Sequence, residues 1–166
     1  DEFICLDTSR ANVDNGKTKH RGLELEWRYA ATETLAIIGA GTVARHTYSN
    51  DPALARTPVS GNLIDTSPKT MGSVSLDWQL GERFGQQITW THMGGYYTDP
   101  ANTHEYPGHD LIHWHGQFDL NEDLTLFFRV HNLTAVAYAE RADFAFGSER
   151  YFVGLPRSFY IGFRFN

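Results

Sequence analysis

The sequence predicts an all-β chain, an antiparallel transmembrane β-barrel wall of about eight strands. Three observations carry that prediction. Segments near ten residues long alternate apolar and polar side chains, the period that puts successive side chains on opposite faces of a strand. The connections between them alternate strictly between short and long. Finally, Arg157 to Asn166 places Phe159, Ile161, Phe163 and Phe165 on one face, and no later segment remains to cover it. Lipid is the cover that fits.

Composition permits this reading and excludes others. With 166 residues, the chain is long enough for one domain. No run of about 18 apolar residues exists, so no membrane-spanning helix is expected. A barrel strand needs apolar residues only at alternate positions, and aromatics, at 14%, are plentiful. The net charge of -6, with no basic cluster, argues against a nucleic-acid partner. Cys5 is alone, so neither an intrachain disulfide nor a cysteine-based zinc site is expected. Asp1 leads into a strand-like run at once, without a signal-peptide pattern, so the chain is expected to begin inside a longer one.

The elements follow in order. Phe3 to Thr8 is a short apolar strand. His20 to Tyr29 alternates Leu23, Leu25, Trp27 and Tyr29 against Glu24, Glu26 and Arg28. Leu35 to Tyr48 comes next, with Gly39 and Gly41 as small residues. Lys69 to Leu80 alternates Val74, Leu76, Trp78 and Leu80 against Ser73, Ser75, Asp77 and Gln79. Gln86 to Tyr97, His109 to Leu120, Leu124 to Asn132 and the terminal strand complete the set. Ala30 to Thr34, Gly81 to Gly85 and Asn121 to Asp123 are tight; Thr8 to Lys19, Ser49 to Pro68, Thr98 to Gly108 and Leu133 to Arg157 are long. Outer-membrane barrels sort their loops this way, short in the periplasm and long outside. Aromatics near the turns, such as Tyr29, Trp78, Phe118 and Phe159, suit a membrane interface. The opposite faces carry Glu24, Glu26, Arg28, Asp77, Gln117, Asp119, Arg129 and Arg164, at home in a polar lumen. A soluble lipocalin-type barrel would reverse the two faces.

Five motifs, in order along the chain, resemble those of TonB-dependent outer-membrane receptors. They are Asn15 to Glu26, Thr66-Ser67-Pro68-Lys69, Gly95-Tyr96-Tyr97-Thr98-Asp99 with Asn102, Val130-His131-Asn132-Leu133-Thr134 with Tyr138, and Tyr151 to Arg157. The resemblance implies the C-terminal part of a plugged barrel of about twenty-two strands, with the plug and first barrel strands absent from this chain. It implies a bacterial outer-membrane location and a siderophore-receptor type of function: uptake of a scarce iron complex, driven by the TonB complex through the missing N-terminal region. It also implies outer-membrane lipid and the barrel-assembly machinery, through the terminal strand, as partners. Phe165 is followed by Asn166, whereas the family usually finishes on an aromatic.

Candidate site residues come mainly from the long loops, where binding residues concentrate. Tyr97, His104, Tyr106, Arg141, Phe144, Phe146 and Arg150 combine aromatic and guanidinium groups suited to a flat, anionic metal chelate. His113 and His115 share a strand face and form a weak metal pair, but no carboxylate or cysteine at recognisable spacing completes a shell, and a water-facing wall accounts for them. No catalytic motif is present and no cofactor is expected. An outer-membrane lipase or protease would need a Ser or Asp beside a His at the rim, a pair that the sequence does not place. Two further alternatives stay open at this point: a small self-contained outer-membrane barrel with a structural or adhesive role, and a soluble ligand-binding barrel.

Overall fold

Hydrophobic alternation becomes geometry in a seven-stranded antiparallel sheet. The computed structural model describes residues 16–51 and 57–165, with the backbones of Ile4–Cys5 and Asn12–Val13. Those two dipeptides form a short ladder, β1 (Ile4–Cys5) with β2 (Asn12–Val13). The wall comprises β3 (Thr18–Ala30), β4 (Leu35–Tyr48), β5 (Thr70–Leu80), β6 (Phe84–Tyr97), β7 (Glu105–Asn121), β8 (Leu124–His131) and β11 (Ser158–Phe165). They pair as seven strands in the order β11-β8-β7-β6-β5-β4-β3. A separate hairpin, β9 (Ala139–Ala145) and β10 (Ser148–Val153), lies within the last long connection.

Two adjacent rows of the ladder show how the faces separate. Tyr29, Ile37, Leu76, Ile88, Trp114, Val130 and Phe159 are successive cross-strand partners across all seven strands. One residue away, on the other face, run Ala36, Asp77, Gln87, His115, Arg129 and Tyr160. Because the side-chain period is two, a slip of one residue in any strand would exchange these faces. Much of the apolar row lies open on the surface, with Tyr29 60%, Leu76 40% and Phe159 70% exposed, while Val130 is buried. So much outward apolar area is what a lipid-facing wall presents. The polar row is hydrogen-bonded across strands: Gln87 Nε2 donates to Asp77 Oδ1 at 2.6 Å, and Thr125 Oγ1 donates to Asp119 Oδ1 at 2.7 Å.

Aromatic rings cover glycines across the ladder on both faces. A Cβ on Gly39 would sit inside the Trp27 indole, and one on Gly116 inside the Phe128 ring. Phe127 lies over Gly162 in the same manner on the polar face. The glycine gives up side-chain packing, and the neighbouring ring restores it. Trp114 keeps its indole N–H satisfied on the apolar face by donating to Gln86 Oε1 at 3.1 Å.

Three features differ from the sequence-based expectation. Of the expected strand Phe3 to Thr8, the described part, Ile4–Cys5, lies outside the seven-stranded wall and pairs with Asn12–Val13. β7 starts at Glu105 rather than His109, because Pro107 and Gly108, which look like breakers, are absorbed within the strand with Gly108 at φ 84°. The last long connection contains β9 and β10 instead of being irregular throughout. Asn166 lies outside the described residues.

Candidate functional site

The single-layer wall has no deep interior. The buried apolar clusters among the described residues both gather at the long-loop end: Tyr96, Tyr106, Ala139 and Ala142 with Met93, and Tyr48 and Val59 with Ile64. The first cluster is a platform that fastens β9–β10 to the wall. The Tyr96 hydroxyl accepts the Ala142 N–H at 2.7 Å. The Tyr106 hydroxyl accepts the Ala139 N–H at 3.0 Å and lies 3.2 Å from the Ala139 carbonyl oxygen and 2.9 Å from His109 Nδ1. In a regular strand, residues three apart face opposite ways. Tyr106 meets His109 because Gly108 between them is left-handed.

The 98–104 loop is held by one carboxylate. Asp99, 7% exposed, accepts the backbone N–H groups of Thr103 and His104 through Oδ1 at 2.9 and 2.7 Å, and the Thr103 hydroxyl through Oδ2 at 2.8 Å. Asn102, at φ 60°, exchanges two 2.8 Å hydrogen bonds with the backbone of Leu63 and so ties this loop to the preceding one. Asn132 does the same for the last connection: fully buried, it bonds the N–H and C=O of Val136 at 3.0 and 2.8 Å. These residues belong to the motifs quoted above, and their physical role is local loop closure.

On this support stands a rim of aromatic and cationic groups. His104 stacks on Phe144, ring centroids 3.7 Å apart and planes 13° from parallel. The Phe144 N–H donates to the Thr98 carbonyl at 2.9 Å, which fixes the hairpin against the loop. Phe146 and Gly147 form the two-residue turn between β9 and β10, at φ 55° and 77°. That turn ordinarily favours Asn-Gly, so the exposed Phe146 ring is displayed at a backbone cost of about 1 kcal/mol. Asp143 bridges both guanidinium groups, Arg150 Nε at 2.6 Å and Arg141 Nη2 at 3.3 Å. Arg150 also lies over Phe146, 5.7 Å from its centroid, and Arg141 over Phe152 at the same distance. A guanidinium has five N–H donors, so each retains capacity for a ligand.

The predicted loop residues thus divide. His104, Arg141, Phe144, Phe146 and Arg150 come together on or beside the hairpin. Tyr97 lies on β6, with Lys69 Nζ 5.9 Å above its ring. Tyr106 is buried beneath the hairpin and acts there as a support. His115 is a rung of the polar row between Gln87 and Arg129, and His113 packs against His131 with centroids 4.5 Å apart. Among the described residues no group of three or more His, Cys, Asp or Glu converges as a metal site. Sequence reasoning passed over Asp143, since nothing in the local pattern says that one carboxylate would collect two arginines.

Asp65, in the second long loop, accepts the Tyr48 hydroxyl at 2.6 Å. Burial nonetheless holds its carboxyl above the ordinary 3.8, outweighing that hydrogen bond. A raised value in the folded state means that ionisation costs stability, and the loss accumulates as pH rises from about 4 through the folded-state value. Asp65→Asn should therefore raise the urea midpoint of the full-length protein at pH 7 and leave it unchanged near pH 3. An unchanged midpoint at pH 7 would mean that Tyr48 already compensates the charge.

At the opposite end, beside the tight turns, a polar groove of about 400 Å³ opens on the inner face, lined by Arg28, Asp77, Gln87, His115 and Gln117 among others. No helix among the described residues is long and apolar enough to cross a membrane.

The model of the family "TonB dependent receptor-like, beta-barrel" matches residues 3–133. Among solved structures, the chain is similar to the ferric yersiniabactin uptake receptor FyuA from Yersinia pestis, with TM-score 0.81 and 20% identity over 93% of this chain and 24% of that one. The siderophore receptor PiuA from Acinetobacter baumannii gives TM-score 0.78 and 17% identity over 98% of this chain and 24% of that one. The ferric citrate transporter FecA in its unliganded form gives 0.77 and 24% identity over 100% of this chain and 26% of that one. At these identities the structural likeness establishes the fold, and the chain spans about a quarter of the length of those proteins. The match over residues 3–133 settles the family: the chain belongs to the TonB-dependent receptor-like β-barrels of the bacterial outer membrane.

Proposed function

We propose that these residues form the C-terminal barrel portion of a longer receptor, with the plug and first barrel strands elsewhere in the polypeptide. The complete protein takes up a ferric-siderophore-like complex and is energised through TonB. The observation that carries this reading is the rim on β9–β10, where Arg141, Arg150, Phe146 and the His104–Phe144 stack present charge and flat apolar surface together. A compact anionic chelate offers the matching chemistry: oxygen acceptors for guanidinium donors and planar rings for stacking. Ferric cargo in the names of the matched receptors supports the same class. No bond is made or broken. The loops bind, the wall positions them, and the polar inner face, including the groove beside the short turns, is the surface for a plug. The strand Ser158–Phe165 is the contact for the barrel-assembly machinery.

The reading is tested by uptake of a labelled ferric-siderophore complex into cells carrying the full-length receptor. Deleting Ala135 to Arg150 should abolish uptake while the barrel still assembles; an unchanged uptake profile would contradict the loop assignment.

A further inference from the structure

We propose that His20 and His46 form a chelating site for a divalent transition metal of the copper or nickel type, on the polar face of the wall at its long-loop end. The two residues are direct partners in the β3–β4 ladder. His20 shares its face with Glu24, Glu26 and Arg28, because side chains alternate along a strand. The imidazoles turn toward each other, with Nδ1 2.7 Å from Nδ1 and ring centroids 4.9 Å apart. Only one of these nitrogens can carry the hydrogen of that contact, so the other presents a lone pair. The Thr18 hydroxyl lies 2.9 Å from His20 Nε2. When it accepts the Nε2–H, His20 Nδ1 is the lone-pair nitrogen and His46 Nδ1 holds the shared proton. A cation that replaces this proton, which then passes through water to His46 Nε2, meets two lone pairs aimed at one point.

The spacing selects the cation. With metal–nitrogen bonds of about 2.0–2.1 Å, two nitrogens lie about 2.9 Å apart at a right angle and about 3.3 Å apart at a tetrahedral angle. The 2.7 Å between the two Nδ1 atoms is nearer the first. Tetragonal and octahedral ions hold neighbouring ligands at right angles, so copper(II) and nickel(II) fit better than tetrahedral zinc. Room remains for further ligands: toward the short turn, the next pair on this face is Gly22 with Ala44, which adds one methyl group. Other histidines of the wall direct a ring nitrogen elsewhere. His92 Nδ1 meets Asp110 at 2.9 Å, His109 Nδ1 the Tyr106 hydroxyl at 2.9 Å, and His131 Nε2 the Tyr138 hydroxyl at 3.3 Å. Two imidazoles make a chelate rather than a closed shell, which agrees with the lack of a three-residue cluster among the described residues. Water fills the remaining positions, so the ion exchanges. The pair lies 26 residues apart in sequence and exists only through the ladder register, so no local motif announces it.

The inference rests on the strand register and not on the identity of the cargo. It is tested with the full-length receptor in non-ionic detergent, titrated with nickel(II) by calorimetry and loaded with one equivalent of copper(II) for electron paramagnetic resonance. His20→Gln and His46→Gln should each weaken nickel binding by about a hundredfold, and Thr18→Val, which keeps both imidazoles, by about tenfold. The double histidine variant should lose no more than either single one, because a chelate is lost with either arm. The copper spectrum should show two equatorial nitrogens, reduced in each histidine variant. His92→Gln, on the opposite face, should change neither readout. If a histidine variant fails to assemble, Thr18→Val and the copper spectrum of the unaltered receptor still decide. Nickel affinity unchanged in either histidine variant or in Thr18→Val, additive losses in the double variant, or a copper spectrum without paired equatorial nitrogens would overturn the proposal.

Discussion

Replacing Tyr96 and Tyr106 together by phenylalanine will release the β9–β10 hairpin from the wall. Both rings stay, so burial is kept and only the hydroxyls are lost. Each hydroxyl accepts a buried backbone N–H, Ala142 at 2.7 Å and Ala139 at 3.0 Å, and both residues are almost fully covered, at 1% and 3% exposed. A buried N–H left without an acceptor costs about 1–3 kcal/mol, so the pair should cost about 2–6 kcal/mol. Hydrogen exchange at Ala139 and Ala142 should accelerate by at least about thirtyfold, while amides of β5 and β6 keep their protection. Unchanged exchange at both alanines would show that apolar contact alone holds the hairpin. If the rim on this hairpin binds cargo, the same double variant should lose affinity with no rim residue altered.

Asp99→Ala is the second large effect. Its carboxylate accepts three hydrogen bonds from Thr103 and His104 in a nearly closed environment. Hydrogen bonds to a charged group contribute about 1.5–3 kcal/mol each and do not add fully, so about 3–5 kcal/mol of local stability should go. His104 loses its backbone anchor and with it the stack on Phe144. Exchange at the Thr103 and His104 amides should rise by about a hundredfold or more. Asp99→Asn, which keeps an acceptor oxygen, should fall between. Protection retained in Asp99→Ala would assign loop closure to Asn102 instead.

The wall was legible in the sequence because its physics is local. Leu23 to Tyr29 against Glu24 to Arg28, and Val74 to Leu80 against Ser73 to Gln79, state the face of each residue outright, and the structure places them on those faces. The tight turns were legible for the same reason; Gly81, for example, takes φ 64° between β5 and β6. The site was less legible because tertiary contacts decide it. Phe146 occupies a left-handed turn position where a polar residue is the usual signal, so the hairpin did not announce itself. Tyr106 reads as a loop aromatic, but the strand runs through Pro107 and Gly108 and carries it under the hairpin. The pairing of Arg141 and Arg150 through Asp143, and the facing of His20 and His46, exist only once the strands are in register. Motif residues such as Asp99 and Asn132 were visible as a pattern, and the structure supplies their reason: they close loops.

The account depends most on which face of the wall meets lipid. The direct measurement places single cysteines in the full-length receptor, with Cys5 replaced by serine, at Leu76, Ile88 and Phe159 on the apolar row and at Asp77, Gln87 and Arg129 on the polar row. A fluorophore on each is then quenched with brominated lipid or with an aqueous quencher in reconstituted membranes. Leu76, Ile88 and Phe159 should be quenched by the lipid, and Asp77, Gln87 and Arg129 by the aqueous agent. The reverse assignment, or aqueous quenching on both rows, would contradict a lipid-facing wall.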